Sequence, residues 1–168
     1  AAPTAVTPAT VCGCTPGEGF PFALHVIQKA VTTDGLGNSY PTTYQFHGGM
    51  YDAPTKEFRG FEDATVFDVD GNKTVTHFHQ DAHKKGRPFR TEFKDQYGNL
   101  WTKTEQTWSC VDPSPGVHFA KLDQTDTFTY DGDATLKQIR SRFAYDQYGN
   151  LTRTDEDGDV GVVGDERA

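Results

Sequence analysis

The sequence predicts an all-β fold of antiparallel hairpin repeats, and three observations carry that prediction. One turn signal occurs five times, as Asp34-Gly-Leu-Gly-Asn38, Asp68-Val-Asp-Gly-Asn72, Asp95-Gln-Tyr-Gly-Asn99, Asp146-Gln-Tyr-Gly-Asn150 and Asp155-Glu-Asp-Gly-Asp159. Asp at the start of such a turn caps its own backbone, and Gly-Asn tolerates the positive φ of a tight reversal. The runs between turns alternate aromatic or Thr residues with polar ones, at the period of two that a half-buried strand needs. No apolar stripe at the period of 3.6 residues is present, so no helix is expected.

The elements follow in order. Residues 1–19 are rich in Ala, Pro, Thr and Gly without periodicity and read as a flexible linker or arm. The repeat segment spans 20–160. Phe22, Leu24 and Val26 alternate, and after the Asp34–Asn38 turn Tyr40, Thr42, Tyr44 and Phe46 share a face, with Pro41 confining that strand to an edge or a start. A second hairpin runs over 64–69 and 73–80. In a third, Phe89, Thr91 and Phe93 alternate with Arg90, Glu92 and Lys94 before 100–108 returns. Pro113-Ser-Pro-Gly116 predicts a loop over 110–116. Strands resume at 118–122 and 125–130, reverse at Asp131-Gly-Asp133 and continue over 136–145. A last strand begins at Leu151, and the acidic residues 161–168 form a tail expected to fray.

Composition narrows the function. The 168 residues suffice for one domain with a core. A net charge of −8 argues against nucleic-acid binding, which needs clustered cations. The one basic stretch, from Lys84 to Lys94, reads as a solvated strand face and its turn. No apolar run approaches the roughly 20 residues of a membrane span. The start lacks the basic and apolar regions of a secretory signal. Cys12, Cys14 and Cys110 are an odd number and make no disulfide framework.

Sites of chemistry are poorly supported. His77 and His79 share a strand face at a spacing some zinc sites use, with His47 or His83 available as a third ligand, yet two histidines on a polar face need no metal. Asp68–Asn72 and Asp155–Asp159 resemble calcium loops. Their sixth positions are Lys73 and Val160 where such a loop needs Gly, so no metal is expected. None of the four serines sits in a Gly-x-Ser-x-Gly elbow, and Cys110 with His118 lacks an orienting third group. Most carboxylates are accounted for as turn caps. A non-enzymatic module without cofactor is therefore expected. The alternative is a β-rich binding module that presents aromatics to carbohydrate or to a cell-surface protein.

Two passages carry a family likeness. The first joins Thr33–Asn38, Tyr44-Gln-Phe-His-Gly-Gly-Met-Tyr-Asp52, Lys56-Glu-Phe-Arg-Gly-Phe61, Phe78-His-Gln-Asp81 and Lys85-Gly-Arg-Pro88; the second is Phe143–Thr152, around Tyr145-Asp146. They resemble the Rhs/YD-repeat proteins, in particular the B component of bacterial insecticidal toxin complexes and the virulence plasmid toxin B family. Within that family the first passage looks like the transition from propeller to shell. The resemblance implies a segment of a much larger secreted protein, whose repeats form a hollow β-shell around a toxic C-terminal domain. Its partners would be the rest of the parent toxin chain, the encapsulated toxin domain and further subunits of the complex. The family's catalytic toxin and self-cleavage motif have no counterpart here.

The residues expected to maintain such a wall are Glu57, Phe58, Arg59, Gly60, Phe61, Gly86, Arg87, Pro88, Tyr97, Gly98, Asn99, Trp101, Trp108, Tyr145, Asp146, Tyr148, Gly149 and Asn150. Arg59, set between aromatics, is expected to bridge a carboxylate or stack on a ring. If Trp108 is buried, its replacement by Ala should cost about 3–5 kcal/mol.

Overall fold

The computed structural model describes the backbone of residues 3–10 and the residues 22–130, 136–162, 164 and 167. Among the described residues twelve strands form: β1 (Pro3–Thr10), β2 (His25–Thr33), β3 (Ser39–His47), β4 (Tyr51–Asp52), β5 (Glu57–Phe58), β6 (Asp63–Phe67), β7 (Lys73–Phe78), β8 (Pro88–Lys94), β9 (Leu100–Ser114), β10 (Val117–Thr129), β11 (Lys137–Tyr145) and β12 (Leu151–Asp159). Ten of them pair in one sheet in the order β1-β2-β3-β6-β7-β8-β9-β10-β11-β12, and β4 pairs only with β5. Every pairing is antiparallel. The fold is an all-β ribbon of hairpins, as the turn signals predict.

The ribbon is one layer thick. Among the described residues no apolar side chain is fully buried, and the least exposed residues are Glu92 at 5%, Thr65 at 7% and Asp126 at 8%. Because side chains alternate across a strand, register assigns the faces. One face carries a polar lattice. Arg90 stands opposite His77 and Glu105, and Asp126 lies between Glu105 and Arg140. Glu92 pairs with both Arg90 and Lys94, the latter at 2.6 Å. Asp126 accepts from Gln124, Gln138 and Arg140 at 2.5–2.8 Å. The opposite face carries Thr76, Thr91, Thr104 and Thr127 in one row across four strands. Long charged side chains thus cover their own strands, where a globular protein would use a second layer.

Several expectations change. The segment 1–19 contains strand β1, while residues 11–19 lie outside those described. Residues 110–114 belong to β9 instead of a loop, and the chain reverses only at Pro115-Gly116. A register shift between Val117 and Phe119 irregularises the ladder beside Pro113, where a residue without an N–H is tolerated. The two expected strands that follow are one, β10, with a bulge between Leu122 and Gln124. The fifth turn signal is not a turn. Asp155–Asp159 lies within β12, where Gly158 at φ 60° sits at a register shift against β11, and the reversal follows at Asp159–Val162. Arg142 and Arg153 pair with Asp157 and Asp155, which lets this acidic run join the sheet. Arg167 then bridges Glu156 through backbone bonds of 2.7 Å each way. The Asp131–Asp133 reversal lies outside the described residues. Pro41 falls near the start of β3, beyond the Thr43–His47 stretch that pairs with β6.

Candidate functional site: the two rims

A one-layer ribbon of antiparallel strands ends in two rows of connections. The first rim carries the turns Asp34–Asn38, Asp68–Asn72 and Asp95–Asn99. The second carries residues 48–62 with the β4–β5 hairpin, the 79–87 loop, the β9–β10 tip and the Asp146–Asn150 turn.

The turns share one construction. In Asp95–Asn99 the Gly98 N–H donates to the Asp95 carbonyl and the Asp95 N–H to the Asn99 carbonyl, each at 3.0 Å, with Gly98 at φ 91°. This is a three-residue hairpin loop closed by a left-handed Gly. The Asp95 carboxylate accepts from the N–H groups of Tyr97 (2.9 Å) and Asn99 (2.8 Å), and from Asn99 Nδ2 at 2.8 Å. Asp68 and Asp146 do the same with Asn72 and Asn150. Sequence reasoning assigned Asn a share of the positive φ. Among the described residues only Lys56 has positive φ without being Gly, so each Asn acts as a second donor instead.

The donors lower the carboxyl pKa of these caps. For Asp34, Asp95 and Asp146 the leading cause is the side-chain bond from the paired Asn, followed by backbone N–H groups. The amide of Asn72 leads for Asp68. At the tips, Leu36, Tyr97 and Tyr148 are 87%, 82% and 81% exposed. Tyr97 and Tyr148 therefore stand clear of the sheet instead of bracing it. Trp101, 40% exposed, donates its Nε1–H to Asp95 at 3.3 Å.

The second rim is more elaborate. Arg59 pairs with Asp52 across the β4–β5 hairpin, the carboxylate bridge that the sequence suggested. Glu57 pairs with Lys85, joining the hairpin to the 79–87 loop. Gly60, at φ 90°, accepts from Met50 N–H at 3.0 Å and from Gln80 Nε2 at 3.0 Å. Phe61 lies between Phe46 (4.9 Å) and Phe58 (5.5 Å). Gly86 and Arg87 close the next loop onto His79 and Lys84. The Arg87 guanidinium lies over the Trp108 ring at 5.2 Å, and Trp108 Nε1 donates to the Pro88 carbonyl at 2.7 Å. Trp108 is only half-buried, so the cost of a buried Trp does not apply to it.

Between the β9–β10 tip and the Asp146–Asn150 turn lies an open hollow of about 740 Å³, lined by Val111, Val117, Phe119, Tyr145 and Tyr148 with polar groups such as Asp112, Lys121 and Gln147. Tyr145 donates its hydroxyl to the Leu122 carbonyl at 3.0 Å and meets Phe119 edge-on at 6.0 Å. Gly149, at φ 88°, rests on the Phe119 ring, where an added Cβ would stand 3.1 Å from Cζ. Sequence reasoning missed Phe119, Gln80 and the β4–β5 hairpin. For the hairpin a signal existed, since Tyr51 and Phe58 flank the turn formers Pro54 to Lys56.

The metal candidates do not converge. His77 and His79 both lie against Phe89, at 6.0 and 5.0 Å, while His47 bonds Asp63 at 2.8 Å and the His83 ring meets His118 at a tilt, centroids 4.1 Å apart. Burial, then the Lys84 charge, lowers the His79 pKa. Among the described residues no group of three or more His, Cys, Asp or Glu side chains is placed to hold a metal ion. Asp68 spends its oxygens on its own turn. Cys110 is a free, exposed thiol, and Cys12 and Cys14 lie outside the described residues. Among the described residues no helix is long and apolar enough to cross a membrane.

Residues 17–92, which hold the β4–β5 hairpin and its Arg59–Asp52 pair, match the family described as the insecticide toxin TcdB middle/N-terminal region. Residues 17–92 are thus related to that region of the TcdB toxins. No curated protein matches it. Its fold is that of solved toxin-complex chains. TcdB2-TccC3 without its hypervariable C-terminal region superposes with a TM-score of 0.73 at 15% identity, covering 86% of this chain and 10% of that one. The Tc holotoxin pore of Photorhabdus luminescens gives 0.72 at 15% identity, covering 88% and 10%. The chain thus spans about a tenth of the length of these relatives.

Proposed function

We propose that this TcdB relative is a structural, non-enzymatic wall segment of a secreted toxin shell built from YD-type hairpin repeats, which encloses a toxin domain carried by the same complex. The observation that carries this reading is the single-layer sheet, which has no buried apolar side chain among the described residues. Such a sheet makes a good partition, because its inner strands are saturated laterally and both faces remain available. The ionic lattice supports the same reading, since its charges are neutralised in place and present little unpaired charge to a passing chain.

The binding-module alternative draws on the exposed Tyr97 and Tyr148. These rings stand on opposite rims and form no shared platform, which favours the wall. Expression of the complete reading frame that carries this segment, followed by electron cryo-microscopy, tests the proposal. The sheet is expected to continue past β1 and past β12 and to close around an interior volume. A free-standing domain with both edges capped would overturn it.

A further inference from the structure

Strand pairing can lengthen this ribbon only at β1 and β12. A wall built from such a ribbon and several times its length, as the tenfold longer relatives suggest, must also close along its rims, where strands end and no backbone ladder is available. The two rims differ in shape. On the first, the Asp95–Asn99 turn projects Tyr97, and nothing lies within 4 Å of the position a Gly98 Cβ would take. On the second, the hollow beside the β9–β10 tip is edged by Val111 and Val117, 41% and 50% exposed, above the Phe119–Tyr145 pair.

The molecule already shows how such a turn seats on a ring. Asp146–Asn150 has the same five residues as Asp95–Asn99, and it rests on Phe119 through the bare face of Gly149. Gly98 has nearly the same φ, 91° against 88°, and its equivalent face is uncovered. We propose that the hollow is a socket for a turn of the Asp95–Asn99 type from the next course of the same ribbon, so that courses dock rim on rim with Tyr97 as the inserted side chain. This rests on the wall reading above. In solution a second copy of this chain supplies the turn.

One socket and one turn on opposite rims make a heterologous, open-ended contact. Sedimentation velocity over a concentration series should therefore show the chain growing into head-to-tail oligomers. Tyr97→Ala removes the inserted ring and Val117→Glu charges the socket, with Val111→Glu as the second socket variant should the first fail to fold. Each is expected to weaken association at least tenfold while melting like the parent chain. An equimolar mixture of the turn variant and the socket variant should form dimers and stop there, because only one intact joint remains.

Unchanged association in both variants would assign the contact to the sheet edges and overturn the proposal. So would a mixture that stays monomeric, a parent chain that stays monomeric to its solubility limit, or Tyr97-dependent capture on a glycan array. Failure here leaves sheet continuation past β1 and β12 untouched, so the two readings fail separately.

Discussion

Asp34, Asp68, Asp95 and Asp146 each end a strand and hold the next reversal with one carboxylate. Their pKa values are lowered, so their contribution to stability is fully present above the ordinary Asp pKa of about 4 and is lost as pH falls through the lower folded values. The urea midpoint is expected to drop steeply below about pH 4. In an Asp95→Asn, Asp146→Asn double variant the midpoint should be lower at pH 7 and the acid drop shallower. A drop as steep as in the parent chain would show that other carboxylates govern acid unfolding. These four caps were legible in sequence because an Asx turn is a local interaction among five consecutive residues. Asp126 was not, since its partners Gln138 and Arg140 lie on the neighbouring strand and depend on register.

Among the elements, the two identical turns separate local from tertiary cost. Gly98→Ala forces a side chain into left-handed backbone in open space, at a cost of about 1–2 kcal/mol. Gly149→Ala carries the same strain and sets its Cβ 3.1 Å from Phe119 Cζ, so the ring must shift by a few tenths of an ångström and a larger loss is expected. Chemical denaturation of both variants measures the difference; equal losses would mean that Phe119 does not seat the second turn. The β9 strand teaches a related lesson. Pro113 and Pro115 read as a loop because turn chemistry is scored locally. The long partner β10 draws the chain through Pro113, and a register shift absorbs the missing donor.

For the molecule as a whole, the lack of a buried apolar side chain among the described residues has a thermodynamic signature. Globular domains unfold with a heat-capacity change of about 12–15 cal/mol/K per residue, most of it from exposing apolar surface. This ribbon keeps Ile27, Val69, Leu151 and other apolar side chains partly exposed while folded. Its heat-capacity change per residue should fall clearly below the globular range in scanning calorimetry. A globular value would show that a second layer covers the sheet. The composition hinted at this, with 35% hydrophobic residues and 24% charged. It does not reveal that the charges would pair on one face, along one strand at Glu92 and across strands at Asp126.

Sequence alone determined the turns at Asp34, Asp68, Asp95 and Asp146 and that strands, not helices, lie between them. Those properties depend on neighbours within a few residues, on glycine geometry, on Asp capping and on side-chain alternation. It also supplied the motifs that resemble the toxin B family, within the residues 17–92 that match it. Tertiary structure decided that Asp155–Asp159 is a strand, that β1 joins the sheet and that one DQYGN turn is seated on Phe119 while its twin is bare. Each of these depends on which strand lies alongside, and strand pairing joins residues far apart in the chain through backbone bonds that carry little record of side-chain identity.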